Sequence, residues 1–410
     1  METAISLDIF CRVIDNYGDA GVCLHLARSL SQIPLPHGQH FAVRLFCDQP
    51  EVMTTLTDPS DSANPHLKLC TWEQPLVGYE PSSVVVSAFS CRFDEVTLKT
   101  LQQRQQHSGQ PLIINLEYLS AEPWVEDCHQ LPSPAEGLTS HFFFPGFTAR
   151  TGGLNLDPDF IAQCQSRLGS ATTTATATDT ESASATAPAP YTLSLFGYDN
   201  PAVLRLLQGL AASGRDCTLK VFAGLACDNL NQRLGLTLTV GDSYDFAPNV
   251  HCTVVPMTGH SGYDQTLLQC DFNLVRGEDS IVRAMHTGHP FLWQIYPQDE
   301  GAHIVKLNAF LDCMERTLQA QNAALETEPS ACSNSGSNLS ARMALLRRAM
   351  LSYNEALPQD QADPFLEPDF LPRFERECGP LFTAWARYLC AQPTLSQRLS
   401  AFIVSKLAAS

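Results

Sequence analysis

Residues 13–22, "VIDNYGDAGV", place two carboxylates, Asp15 and Asp19, around Asn16, Tyr17 and Gly18. The stretch joins an apolar run to an amphipathic one. Two further joints are built alike: "FGYDN" at 196–200, followed by Pro201, and "RGEDS" at 276–280. The third carries the most chemistry. Backbone N–H groups at Ser280 and beyond open a helix and favour an anion. Arg276 adds a planar cation suited to phosphate. Glu278 and Asp279 would repel a phosphate, and fit better as acceptors for hydroxyls or for a base. An arginine, carboxylates and a helix start together describe a site for a nucleotide-linked sugar. The plainer alternative is a surface salt bridge from Arg276 to Glu278 or Asp279.

Helix capping is the competing use of each joint. Asp19 can cap the helix that follows by accepting from the Val22 N–H. Asn200 before Pro201 makes a well-formed helix start. Ser280, after Asp279, can cap the helix carrying Ile281, Val282 and Met285. Capping accounts for one polar residue per joint and leaves Asp15, Asn16, Tyr198, Arg276 and Glu278 without a use.

The elements that must position these joints are short β-rich runs alternating with helix-period runs. Strands are predicted at 5–13, 42–47, 84–88 and 112–116, and again at 192–196, 218–222, 252–255, 271–275 and 291–295. Several are almost continuously apolar, the pattern of strands covered on both faces. Val22, Leu26, Leu30 and Ile33 share one helical face; so do Ile304, Leu307, Leu311 and Met314. Alternating βα units imply parallel, doubly wound sheets. In such sheets ligands bind at the carboxyl ends of strands, where all three joints lie. One joint belongs to the first half of the chain and two to the second, so the expected site is a cleft between two facing domains.

Residues 169–190, "GSATTTATATDTESASATAPAP", hold no apolar side chain larger than alanine and are expected to be a linker. The expected organisation is therefore a first Rossmann-like domain over 1–168 and a second over 191–380. A helical segment, 381–410, follows and is able to pack back on the first domain. A polar stretch at 327–338 is expected to be a surface loop.

Of 410 residues, 25 are basic and 43 acidic, a net charge of −18. This disfavours nonspecific nucleic-acid or anionic-membrane binding and favours a partner with a basic patch. The N-terminus lacks a basic n-region and cleavage site, and no apolar run approaches a membrane span. The 15 cysteines are scattered with no CxxC, which argues against zinc and suits a reducing cytoplasm. His129, His141, His286 and His303 are not spaced as a metal set and read as structural. GxGxxG, GxxxxGK[ST] and GxSxG are absent, which weighs against a dehydrogenase, an ATPase and an α/β-hydrolase.

Four stretches, "DIFCRVIDNYGDAGVCLHLARSL" (8–30), "INLEYLSAEPWVEDCHQLPSP" (114–134), "FFFPGFTARTGGL" (142–154) and "CDFNLVRGEDSIVRAMHTGHPFLWQIYPQDEGAHIVKLNAFLD" (270–312), closely resemble the elongation factor P arginine rhamnosyltransferases (EarP). The resemblance implies an α/β GT-B fold, two Rossmann-like domains around a cleft. It implies dTDP-β-L-rhamnose as donor and an arginine of elongation factor P as acceptor, with inversion and no metal or other cofactor. It makes Asp19 the general base and Asp15 and Glu278 further essential carboxylates. Asn16, Tyr17 and Gly18 would line the sugar. Phe196, Tyr198 and the run Arg276, Gly277, Glu278, Asp279 and Ser280 would bind the donor. Around the base the family has a phenylalanine where this chain has Met257 and a glutamine where it has His260. Gln269 replaces a family tryptophan.

A guanidinium is a poor nucleophile that stays protonated across the ordinary pH range. Carboxylates can both hold it in a bidentate fork and accept its proton. Two other readings remain: a non-catalytic nucleotide-sugar binder, which would tolerate loss of Asp15 and Asp19, and a transferase acting on a small-molecule or lipid acceptor. Lack of a basic amphipathic face speaks weakly against a lipid.

Overall fold

The computed structural model describes residues 4–14, 17–174, 190–326 and 336–409. Asp15 and Asn16, 175–189 of the Ala/Thr/Ser-rich stretch and 327–335 of the polar loop lie outside the described residues. No helix among them is long and apolar enough to cross a membrane.

The chain divides into two units. The first comprises Met1–Pro158, Gly259–Ser261 and Gln392–Ser410; the second comprises Asp159–Thr258 and Gly262–Ala391. Each is built on one sheet. In the first unit the strands are β1 (Ala4–Cys11), β2 (His40–Cys47), β3 (Leu67–Thr71), β4 (Val84–Ala88), β5 (Leu112–Leu116), β6 (Pro132–Ala135) and β7 (Leu138–Phe143). Their order is β3-β2-β1-β4-β5-β7-β6, parallel except for the edge hairpin β6–β7. In the second unit they are β8 (Tyr191–Leu195), β9 (Cys217–Phe222), β10 (Ser243–Ala247), β11 (Val250–Val255), β12 (Phe272–Arg276) and β13 (Phe291–Gln294). The order is β10-β11-β9-β8-β12-β13, with only β10 antiparallel.

Both sheets are doubly wound. In the first, the winding direction reverses between β1 and β4; in the second, between β8 and β12. Such a reversal leaves a crevice outside the strands' carboxyl ends, where adjoining connections part to opposite faces. The joint after β1 leads to Asp19. The joints after β8 and β12 hold Phe196, Tyr198 and Arg276. The topology thus brings two of the three polar joints to one switch point, and the third to the other.

The domain boundaries differ from those expected from composition. The first unit ends at Pro158 and not at 168, because helix Pro158–Thr174 buries Phe160, Cys164 and Leu168 and bonds within the second unit. Arg167 Nη1 donates to Thr287 C=O at 2.6 Å, and Gln165 Nε2 to Cys390 C=O at 2.9 Å. Residues 169–174 of the expected linker continue this helix. The low-complexity composition therefore begins inside a helix's polar tail. The second unit also keeps helix Phe370–Cys390, whose Trp385 is fully buried with Nε1 donating to Met285 Sδ at 3.3 Å. The change of unit falls at 391/392 and not at 380/381. Only the last helix, Leu395–Ala409, joins the first unit. Its Leu395, Leu399, Phe402 and Ile403 share one core with Val22, Leu26 and Leu30 of helix Gly18–Gln32.

Candidate active site

In the first unit, helix Gly18–Gln32 starts directly from the joint after β1. Its N-cap is Tyr17, whose side chain makes no capping bond. Asp19 is the second helical residue, 2% exposed. It does not cap through Val22: its Oδ2 accepts from the Ile14 N–H at 2.7 Å. The carboxylate therefore folds the joint back on itself while lying at the positive end of the helix, which favours its charge. Gly18 and Tyr17 border it, half-buried. Asp15 and Asn16 complete the joint in sequence but lie outside the described residues.

The second unit assembles its joints around Arg276. The guanidinium lies between two aromatic rings, its Cζ 4.6 Å from the Phe196 centroid and 4.5 Å from that of Tyr198. Arg276 is 5% exposed, and its buried Nη1 has no hydrogen-bond partner. Cation–π contact offsets part of the lost hydration, but a buried, unpartnered donor calls for an explanation. The rings are held from below. The Tyr198 N–H donates to Gln294 Oε1 at 2.8 Å, Gln294 Nε2 donates to Asp199 C=O at 3.0 Å, and the Tyr198 ring meets Tyr296 edge-on. Asn200 begins the next helix as expected, its Oδ1 accepting from the Ala202 N–H at 2.9 Å.

Helix Gly277–Thr287 follows Arg276 at once, and its N-cap makes no side-chain capping bond. Gly277 has φ +63, a left-handed conformation that suits glycine, and its C=O accepts from Trp293 Nε1 at 2.8 Å. Ser280 is buried in the first turn and does not act as N-cap; Glu278 is half-buried beside it. The surface salt bridge from Arg276 is replaced by the aromatic sandwich. Asp279 instead accepts from the fully buried Arg283, Nε to Oδ2 at 3.1 Å, and Arg283 also pairs with Asp264. Asp279 thus has a structural charge to satisfy, a use its spacing in the sequence did not suggest.

Met257 is half-buried in the second unit, just past β11. His260 belongs with the first unit: it is 4% exposed, its Nδ1 lies 3.3 Å from Arg28 Nη1, and its ring is 4.0 Å from that of His25. Arg28 is itself forked onto Asp61 at 2.6 Å through both Nε and Nη2. Two other histidines are hydrogen-bonded within their own units. His286 Nδ1 meets Val282 C=O at 2.7 Å and His129 Nδ1 accepts from the Phe144 N–H at 3.1 Å; burial pushes both pKa values down to about 4.

Residues that sequence reading passed over are Gln294, Trp293 and Tyr296, which brace the arginine site, and Ser90 and Glu117, at the carboxyl ends of β4 and β5. Their one legible signal is a polar residue immediately after an almost continuous apolar run, as in "LIINLEY".

The profile of the family described as Elongation-Factor P (EF-P) rhamnosyltransferase EarP matches residues 7–404. A protein-arginine rhamnosyltransferase of Pseudomonas putida is 40% identical over 311 residues, 74% of this chain and 80% of its own. One of Neisseria meningitidis is 31% identical over 408 residues, 96% of each. A solved structure described as the structural basis for EarP-mediated arginine glycosylation of translation elongation factor EF-P is 25% identical and covers 99% of both chains at a TM-score of 0.56. With two doubly wound sheets of the GT-B class and a match along nearly its whole length, the chain belongs to the EarP family of protein-arginine rhamnosyltransferases.

Proposed function

We propose that this enzyme moves L-rhamnose from dTDP-β-L-rhamnose to a guanidinium nitrogen of one arginine of elongation factor P, with inversion and without a metal. The observation that carries the donor side is Arg276: a buried cation between Phe196 and Tyr198, with an unpartnered Nη1, at the switch point of the second sheet and directly before a helix start. Those features suit a diphosphate. Asp19 and Asp15 engage the acceptor guanidinium. The nitrogen attacks the anomeric carbon, the bond from that carbon to the dTDP oxygen breaks, and the nitrogen's proton passes to Asp19. Arg276, Tyr198 and the N–H groups near Ser280 stabilise the negative charge that develops on dTDP, so a Lewis acid is not required. Asn16, Tyr17 and Gly18 line the sugar, Glu278 binds its hydroxyls, and Met257 covers the base.

The test is the intact mass of elongation factor P after incubation with the enzyme and donor in EDTA. One added deoxyhexose on a single arginine is expected, together with loss of at least ~100-fold in kcat for Asp19→Asn, the scale of a lost general base. That variant keeps an oxygen for the Ile14 N–H. Near-wild-type turnover by Asp19→Asn would sink the base assignment. Donor binding without any mass change would point to another acceptor.

A further inference from the structure

The end of β4 is built in a way the reaction so far leaves unused. Phe89 and Ser90 follow β4 with φ +56 and +53, two successive non-glycine residues in the left-handed region. That conformation is rare for a bulky aromatic and persists only where the surroundings enforce it. Here they do. The Phe89 N–H donates to Leu116 C=O at 2.6 Å, the Cys91 N–H to Ala88 C=O at 3.1 Å, and the Phe89 ring stacks on Tyr118 at 4.4 Å and 16°. The result is to aim Ser90 Oγ at Glu117, 3.1 Å from Oε1 and 3.4 Å from Oε2. A hydroxyl shared by both oxygens restrains the carboxylate's rotation.

The position matters as much as the contact. β4 is the strand across the switch point from β1, and β5 is its neighbour. Tyr17, from the Asp19 joint, and Phe89 and Tyr118 all belong to or pack on the same core. The ends of β1 and β5 stand two strand spacings apart, roughly 10 Å. Both joints open at the carboxyl ends of strands on the two sides of the β1/β4 switch point, and a planar guanidinium can be bonded by one carboxylate on each edge. A guanidinium has five N–H groups and is held best by forked partners. An enzyme that draws one nitrogen toward a sugar needs a second acceptor on the far edge.

We infer that Glu117, oriented by Ser90, is an acceptor-specificity residue: its carboxylate receives the edge of the acceptor arginine that faces away from Asp19. The inference rests on the reading of Asp19 as the residue that takes the proton. Glu117 binds and orients; it takes no proton.

The test compares wild type, Glu117→Gln, Ser90→Ala and Ser90→Gly. Initial rates are measured against elongation factor P at saturating donor, and the Kd values of dTDP and, without donor, of the acceptor are measured by calorimetry. Glu117→Gln should raise the acceptor KM and Kd at least tenfold while the dTDP Kd stays within twofold. Ser90→Ala and Ser90→Gly should both raise the acceptor KM three- to fivefold. Glycine retains the left-handed backbone, so an equal effect of the two assigns the loss to the hydroxyl. An acceptor KM and Kd within twofold of wild type for Glu117→Gln would overturn the inference, as would an equal loss of dTDP affinity. If wild type itself transfers no sugar, the donor assignment fails instead, and the acceptor Kd of Glu117→Gln against wild type still decides the role of Glu117.

Discussion

Arg276 is a cation kept almost wholly out of water by two aromatic faces, with one nitrogen left unbonded. Leaving a buried donor unsatisfied costs about 1–3 kcal/mol, more for a charged group. Until an anion arrives, the second unit therefore holds a destabilised site. Arg276→Met retains length and contact with the Phe196 and Tyr198 rings but removes the charge. The ligand-free variant is expected to melt a few degrees higher than wild type by calorimetry, while its dTDP Kd rises roughly 10- to 100-fold, the worth of one charge-assisted bond. A lower melting temperature with unchanged dTDP affinity would make Arg276 a packing residue. The same scale shows what sequence can reveal. Asp19, Glu278 and Arg276 stood out because loops rarely concentrate such groups. That Asp19 bonds back to Ile14, that Asp279 is drawn to Arg283 and that His260 packs on Arg28 depended on side-chain directions that spacing does not encode.

At the scale of elements, the last helix has a larger share of the first unit than its position suggests. Leu395, Leu399, Phe402 and Ile403 are buried in the core that also contains Val22 and Leu26. At about 1.5–3 kcal/mol each, an upper estimate, these four side chains contribute on the scale of a domain's entire net stability, ~5–15 kcal/mol. A chain ending at Ala391 is therefore expected to lose the first unit's cooperative melting transition while retaining the second unit's. Two transitions persisting in the truncated protein would contradict this. The helix-compatible pattern of this segment was readable, but its assignment to one unit was not, since periodicity describes a face and not what covers it. The buried parallel strands were legible for the opposite reason: runs such as "VVVSA" and "LIINL" are almost continuously apolar because both faces are covered. β3, β6, β7 and β10 escaped notice. β3, β6 and β10 are edge strands with few buried side chains, β6 carries Pro132 and Pro134, and β7 is paired with that edge strand.

Across the whole molecule, both units share a response to acid. His129 in the first, and His286 and His289 in the second, have pKa values pushed down to about 4, chiefly by burial and in each case also by a nearby arginine. Unfolded, each titrates near ~6.5. Between those values the unfolded chain binds protons that the folded chain excludes. Stability is thus fully present above about pH 6.5 and declines as pH falls toward 4, by up to ~1.4 kcal/mol per pH unit for each histidine. Urea midpoints measured from pH 7.5 down to 4.5 should fall through this window, and His286→Gln should flatten the second unit's share; a midpoint independent of pH there would refute the account. The division of the chain has one more consequence, which concerns synthesis. The first sheet emerges from the ribosome early, yet the helix that closes its core is translated only after the second unit. At about 5–20 residues per second the nascent first unit waits on the order of tens of seconds with an uncovered apolar face. The second unit, though later in the chain, is the first able to finish, and the first unit's core closes only once Leu395–Ala409 has been made.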